Sequence, residues 1–183
     1  GTVAGDYTYL WNNGQTTSTA TNLAPGTYTV TVKDDNNCSS SAGPVSITEP
    51  AVLTASIGAP SMVSCNGGSD GSVTVTGLGG TVAGDYTYLW SNGQTTASAT
   101  GLSAGPYTVT ISDDNGCQAS AGPVTITEPT LVVATMGLPT MVTCNGDADG
   151  SVTVTGSGGT VAGDYTYLWS NGQTTAIAIG LSP

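Results

Sequence analysis

The chain has 183 residues, 12 acidic side chains, one cation (Lys33), no His and a net charge of −11. So few cations exclude partners recognised through phosphate, both duplex nucleic acid and anionic membrane surfaces. The lack of His removes imidazole acid–base chemistry, and no apolar run approaches the roughly 20 residues of a membrane-spanning helix.

In chain order, the first motif is Gly1-Thr-Val-Ala-Gly-Asp-Tyr-Thr-Tyr-Leu-Trp11. It returns as Gly80–Trp90 and again as Gly159–Trp169, each time after 79 residues. Cys38 maps onto Cys117, and Cys65 onto Cys144, at the same offset. Residues 1–50 and 80–129 align without gaps and differ at 13 positions. A period of 79 is too long for a solenoid repeat and suits a small domain repeated in tandem. Ile-Thr-Glu-Pro closes the unit at Pro50 and at Pro129. This predicts the C-terminal part of a repeat over 1–50, one complete repeat over 51–129 and the N-terminal part of the next over 130–183. The expectation is a window on a longer array. A second arrangement has residues 130–158 of one copy and 1–50 of another completing a repeat between chains. There, residues 159–183 would compete with residues 1–25 for one place.

Within the complete repeat, apolar and polar residues alternate with period two, the signature of half-buried strands. Ser72-Val-Thr-Val-Thr76, Asp85-Tyr-Thr-Tyr-Leu-Trp90, Tyr107-Thr-Val-Thr-Ile111 and Val124-Thr-Ile-Thr127 show it most clearly. Asn66-Gly-Gly68, Ser91-Asn-Gly93 and Asp113-Asp-Asn-Gly116 supply turn chemistry between them. Six strands are predicted at about 52–57, 71–77, 85–91, 95–100, 106–112 and 118–127, with no helix. The fold class is all-β: tandem immunoglobulin-like β-sandwiches of period 79, strung as beads. Each unit would extend a filament by about 35–40 Å.

A unit this small has a limited core, so a staple is expected. No Cys-x-x-Cys pair is present, which argues against zinc and for disulfides in an oxidising compartment. Strand parity favours Cys65–Cys117 within a repeat; Cys38–Cys65 with Cys117–Cys144, between repeats, is one alternative, and four free cysteines acting as small hydrophobes is the other. Acidic turns offer oxygen ligands for Ca²⁺ at Asp34, Asp35, Asp113, Asp114, Asp147 and Asp149, although Asp also favours turns for its own backbone reasons. Glu49 and Glu128 stand at the domain junctions, where a solvated carboxylate is expected. Trp11, Trp90 and Trp169 are expected in the core, and stacking of exposed aromatics on polysaccharide is the alternative. No nucleophile–base pair can be assembled, so the chain is expected not to be an enzyme.

Four runs in order are Cys65-Asn-Gly-Gly-Ser-Asp-Gly-Ser-Val-Thr-Val, Tyr86-Thr-Tyr-Leu-Trp-Ser-Asn-Gly-Gln-Thr-Thr, Gly105-Pro-Tyr-Thr-Val-Thr-Ile-Ser-Asp-Asp-Asn-Gly-Cys117 and Val124-Thr-Ile-Thr-Glu-Pro129. Together they resemble the SprB repeat, found in very large surface adhesins of gliding Bacteroidota. The Gly-Thr-Val-Ala-Gly-Asp insert before Tyr86 is longer than that family's usual turn. The resemblance implies export by the type IX secretion system and display on the cell surface as non-enzymatic adhesive filaments. The implied partners are neighbouring repeats, external surfaces and polysaccharide.

Overall fold

The computed structural model describes residues 7–182; residues 1–6, the first copy of the Gly-Thr-Val-Ala-Gly-Asp insert, lie outside them. The chain divides into two compact units, Gly1–Ala51 and Val52–Pro183. The first carries β1 (Thr8–Trp11), β2 (Gly26–Lys33) and β3 (Ser39–Ile47) as one antiparallel sheet. The second contains β4 (Thr54–Ile57), β5 (Gly71–Leu78), β6 (Thr87–Trp90), β7 (Ser98–Leu102), β8 (Gly105–Ser112) and β9 (Gln118–Ile126). It continues with β10 (Val133–Met136), β11 (Gly150–Ser157) and β12 (Ile177–Leu181). The described residues form strands and turns, with no helix.

Strands β4–β9 form a two-layer sandwich around one core. One sheet has the order β4-β5-β7 and the other β6-β8-β9, with every pairing antiparallel. Alternation decides which side chains face inward. On β5, Val73 and Val75 are buried while Thr74 and Thr76 are less so; on β8, Val109 and Ile111 are buried. Leu53, Val63, Ala99 and Leu102 complete the first inner face, and Trp90 and Ile126 the second.

Two features are hallmarks of the immunoglobulin architecture. A Trp is buried on the strand that opens the second sheet: Trp90 is 1% exposed. A Tyr near the start of β8 ties the preceding corner, the Tyr107 hydroxyl donating to the Ser103 carbonyl at 3.1 Å. The same bond recurs one period earlier, from Tyr28 to the Ala24 carbonyl at 2.8 Å.

All six predicted strands are present, but β6 is shorter than the sequence pattern implies and β7 lies further along. The cause is a crossover. β6 pairs with the upper half of β8, from Thr87↔Ser112 to Trp90↔Val109. β7 pairs with the lower half of β5, from Thr74↔Ser98 to Gly71↔Leu102. Between them, residues 91–97 carry the chain from one sheet to the other at mid-height. β6 and β7 therefore make one descending path, and six strands make five traverses. An odd number of traverses brings the chain in at one end of the sandwich and out at the other.

Outside this unit the same strands appear as single sheets. β1-β2-β3 repeats β6-β8-β9, and β10-β11-β12 repeats β4-β5-β7, strand for strand at the 79-residue offset. Truncating the Ile111 side chain, 0% exposed, is expected to cost about 3 kcal/mol as the filled site becomes a cavity. Chemical denaturation of the Ile111→Ala chain would measure this as a lowered midpoint with little change in slope.

Candidate functional site

The two ends of the complete repeat carry its polar chemistry. At the entry end lie the insert loop between β5 and β6 and the tight turn between β8 and β9. Asp113 organises both. Its Oδ1 accepts from the amides of Asn115 at 3.0 Å and Cys117 at 2.8 Å, and its Oδ2 from the Thr81 amide at 2.9 Å. Asp114 donates its amide to the Thr81 carbonyl and accepts from the Ala83 amide at 2.6 Å. The lengthened Gly80–Asp85 insert is thus clasped by the acidic pair. Gly80 is required there: its φ is +70°, and a Cβ would lie 2.6 Å from the Asp113 carboxylate. The Thr81 amide, with those of Cys117 and Asn115, holds the Asp113 carboxyl below the usual carboxylate range against the opposing effect of burial.

At the exit end, Glu128 makes a second clasp. Its carboxylate accepts from the Asn66 side-chain amide at 3.0 Å and from the Gly67 amide at 2.7 Å. The Asn66 side chain also donates to the Pro129 carbonyl at 3.1 Å. The junction residues are therefore tied to the β4–β5 loop. Glu128 is exposed, as expected of a solvated carboxylate, and is hydrogen-bonded as well. No spacing rule announces this partner, which lies 62 residues away in sequence.

The candidate calcium ligands are dispersed. Asp34 repeats the Asp113 turn, accepting from the amides of Asn36 and Cys38 at 3.0 and 2.8 Å, and Asp35 is exposed beside it. Asp147 and Asp149 meet at the Thr143 hydroxyl, at 3.1 and 2.7 Å. That hydroxyl, followed by the Thr143 amide, lowers the pKa of Asp149. Among the described residues, no group of three or more acidic, Cys or His side chains converges on one point. The carboxylates of Asp113 and Asp114 are used as acceptors for backbone amides.

The geometry does not support Cys65–Cys117. Both thiols are free and exposed, as are those of Cys38 and Cys144. Cys65 sits in the exit-end loop whose Gly67 amide meets Glu128, just beyond β9, whereas Cys117 immediately precedes β9. Nine extended residues span about 30 Å, and a disulfide needs Cα atoms within about 7 Å. The parity argument fails because it counts six traverses where the crossover leaves five.

The aromatic residues are occupied. The indole N–H of Trp90 donates to the Thr96 carbonyl at 2.9 Å, and the Tyr86 hydroxyl to the Gly79 carbonyl at 2.9 Å. Tyr86, Tyr88 and Tyr107 pack against the core. No exposed aromatic platform for a sugar ring exists in the complete repeat.

Fold and hydrogen bonding thus define a tandem repeat protein of immunoglobulin-like β-sandwiches. The model of the SprB repeat matches the chain in two regions, residues 59–95 and 139–174, consistent with the SprB-repeat family. Among solved structures, the chain is similar to the three N-terminal domains of the bacteriophage RB49 highly immunogenic outer capsid protein (Hoc). Identity there is 21%, coverage 93% of this chain and 68% of that one, and the TM-score 0.48. No curated protein matches the chain.

Two measurements test these assignments. Stability from Asp113 is present above the ordinary carboxylate range near pH 4 and is lost as pH falls through its lowered folded value. Asp113→Asn should therefore melt several degrees below the parent chain at pH 7, with the gap closing in acid. Thermal melts with calcium and with EDTA should show the same gap. Separately, the Trp11→Phe/Trp169→Phe chain retains only Trp90. Its fluorescence should be blue-shifted, resistant to acrylamide and unchanged by added polysaccharide.

Proposed function

We propose that the chain is a stretch of a non-enzymatic, extracellular structural and adhesive filament displayed on a cell surface, of the kind gliding-motility machinery propels. The reading rests on the two SprB repeat matches and on the path of the chain through the complete repeat. The observation that carries it is the five-traverse topology with the Glu128 clasp. Entry and exit lie at opposite ends, so repeats joined through Pro129 add length, and the clasp fixes the direction in which the junction leaves. Repeat boundaries fall after Pro50 and Pro129. No helix of the described residues is long and apolar enough to cross a membrane.

The lateral surface fits the same role. Strands present Thr and Ser outward, with Thr110 and Ser120 hydroxyls paired across β8 and β9 at 2.9 Å. A net charge of −11 keeps such filaments apart in solution. Adhesion in this reading is a matter of reach and multiplicity, with export by the type IX secretion system supplying the surface location.

Beads coated with an antibody against residues 51–129 test the proposal on living cells of the source organism. Beads that bind and travel along the cell are expected. Beads that bind but stay fixed would replace propulsion with a static stalk. Antigen found only in the culture fluid would overturn the cell-surface reading.

A further inference from the structure

Residues 51–129 hold three Asn-Gly pairs, beginning at Asn66, Asn92 and Asn115. In such a pair the Gly amide nitrogen can close on the Asn side-chain carbonyl carbon, because Gly has no Cβ to obstruct the approach. The three pairs differ in what their atoms meet. The Gly93 amide donates to the Trp90 carbonyl at 2.9 Å, and the Gly116 amide to the Asp113 carbonyl at 3.0 Å. The Asn92 side chain accepts from the Gln94 amide at 3.2 Å. Both of these Gly amides are thus held by main-chain carbonyls.

Asn66-Gly67 is arranged otherwise. One carboxylate spans the nitrogen that would attack and the nitrogen that would leave. Glu128 Oε2 accepts from the Gly67 amide at 2.7 Å, and Glu128 Oε1 accepts from Asn66 Nδ2 at 3.0 Å. The other carboxylate of the loop, Asp70, is occupied by the Ser64 amide at 3.0 Å. Gly67 has a φ of +74° with open space on its Cβ side, and Asn66 and Gly67 are both exposed to water. Glu128 is therefore placed to take a proton from one nitrogen and return one to the other, as a general base and then a general acid.

We propose that Asn66-Gly67 is a self-modification site at which Glu128 catalyses deamidation. Glu128 Oε2 takes the Gly67 amide proton as that nitrogen bonds to Asn66 Cγ. The Cγ–Nδ2 bond then breaks, and Nδ2 leaves as ammonia with the proton that Glu128 carried. The product is a five-membered succinimide. Water opens it at one of its two carbonyls, leaving aspartate or isoaspartate at position 66. One water is consumed, one ammonia is released, and the Glu128 carboxylate is restored. The new carboxylate faces Glu128 and the Pro129 carbonyl, to both of which Asn66 Nδ2 had donated. Like charge and lost donors open the clasp. The β4–β5 loop thus carries a slow, irreversible release of its own tie to the junction. The reaction does not depend on the cell-surface reading.

The test is peptide mapping by mass spectrometry while the full chain is incubated in warm, neutral buffer. Conversion is read from the mass gained when the amide becomes an acid, and isoaspartate from its separate elution. Asn66 should convert ahead of Asn92 and Asn115. Glu128→Gln should slow Asn66 about a hundredfold, the low end for a general acid–base. The same variant should leave Asn92 and Asn115 at their parent rates, which reports that it is folded. In denaturing urea the three sites should convert at similar rates, because the clasp is gone. A folded parent chain in which Asn66 lags the other two sites overturns the proposal. So does a folded Glu128→Gln chain in which Asn66 converts as fast as in the parent or faster, since the carboxylate would then be idle or protective.

Discussion

The crossover at Trp90 is the constraint on which the rest of the repeat depends. The Trp90 amide donates to the Gln94 carbonyl and the Gly93 amide to the Trp90 carbonyl, both at 2.9 Å. The indole reaches the Thr96 carbonyl, and the Gln94 side chain exchanges two bonds with the Thr100 backbone at 2.8 and 3.0 Å. These partners lie within ten residues, and the two ends of the turn are also tied to the sheets, Ser91 to Thr108 of one and Ala97 to Val75 of the other. It recurs around Trp11, where only the second sheet is present, and around Trp169, where only the first is. The sheet switch fixes the number of traverses. That number places entry and exit at opposite ends and separates the two cysteine-bearing loops.

A chain with one cation cannot neutralise its carboxylates with ion pairs. It uses backbone amides instead. Asp113, Asp34 and Asp149 each accept from amides of their own loop, and Glu128 accepts from a loop 61 residues distant. Charge-assisted bonds of this type are stronger than neutral ones, and they concentrate at the two ends of the sandwich. The core therefore holds the sheets together while the acids set the loops and junctions. This division explains how the lengthened insert at Gly80–Asp85 is tolerated: Asp113 and Asp114 receive it.

Much of this architecture was legible in the residues. Alternation at Val73/Val75 and Val109/Ile111 identified strands and their buried faces, because one face of each sheet meets a core and the other meets water. Trp90 as a core residue followed from its place on such a strand. The crossover was not legible as a crossover. Residues 91–97 look like an ordinary hairpin turn, and local sequence does not say which sheet the next strand joins. The Cys65–Cys117 expectation inherited that error. The acidic turns were found with two roles open, since Asp near Gly serves a cation and a backbone amide equally well. Glu128 was seen, but its partner is fixed by tertiary structure alone.

The same topology determines how a repeat meets tension. β4 enters and β9 leaves, and the two strands pack side by side. Both descend from the entry end, so a pull on Val52 and Pro129 loads them in opposite senses along their axes. Sliding one past the other must shear the contact of Ile57 with Gly122, where even a Cβ would lie 3.3 Å from the Ile57 side chain. It must also draw Ile126 out of its seat over Gly71 and open the Glu128 clasp at the same moment. Contacts that fail together resist more than contacts that peel one after another. The acidic clasp at the junction thus places charge-assisted bonds at the exit end, where a pull on Pro129 first acts.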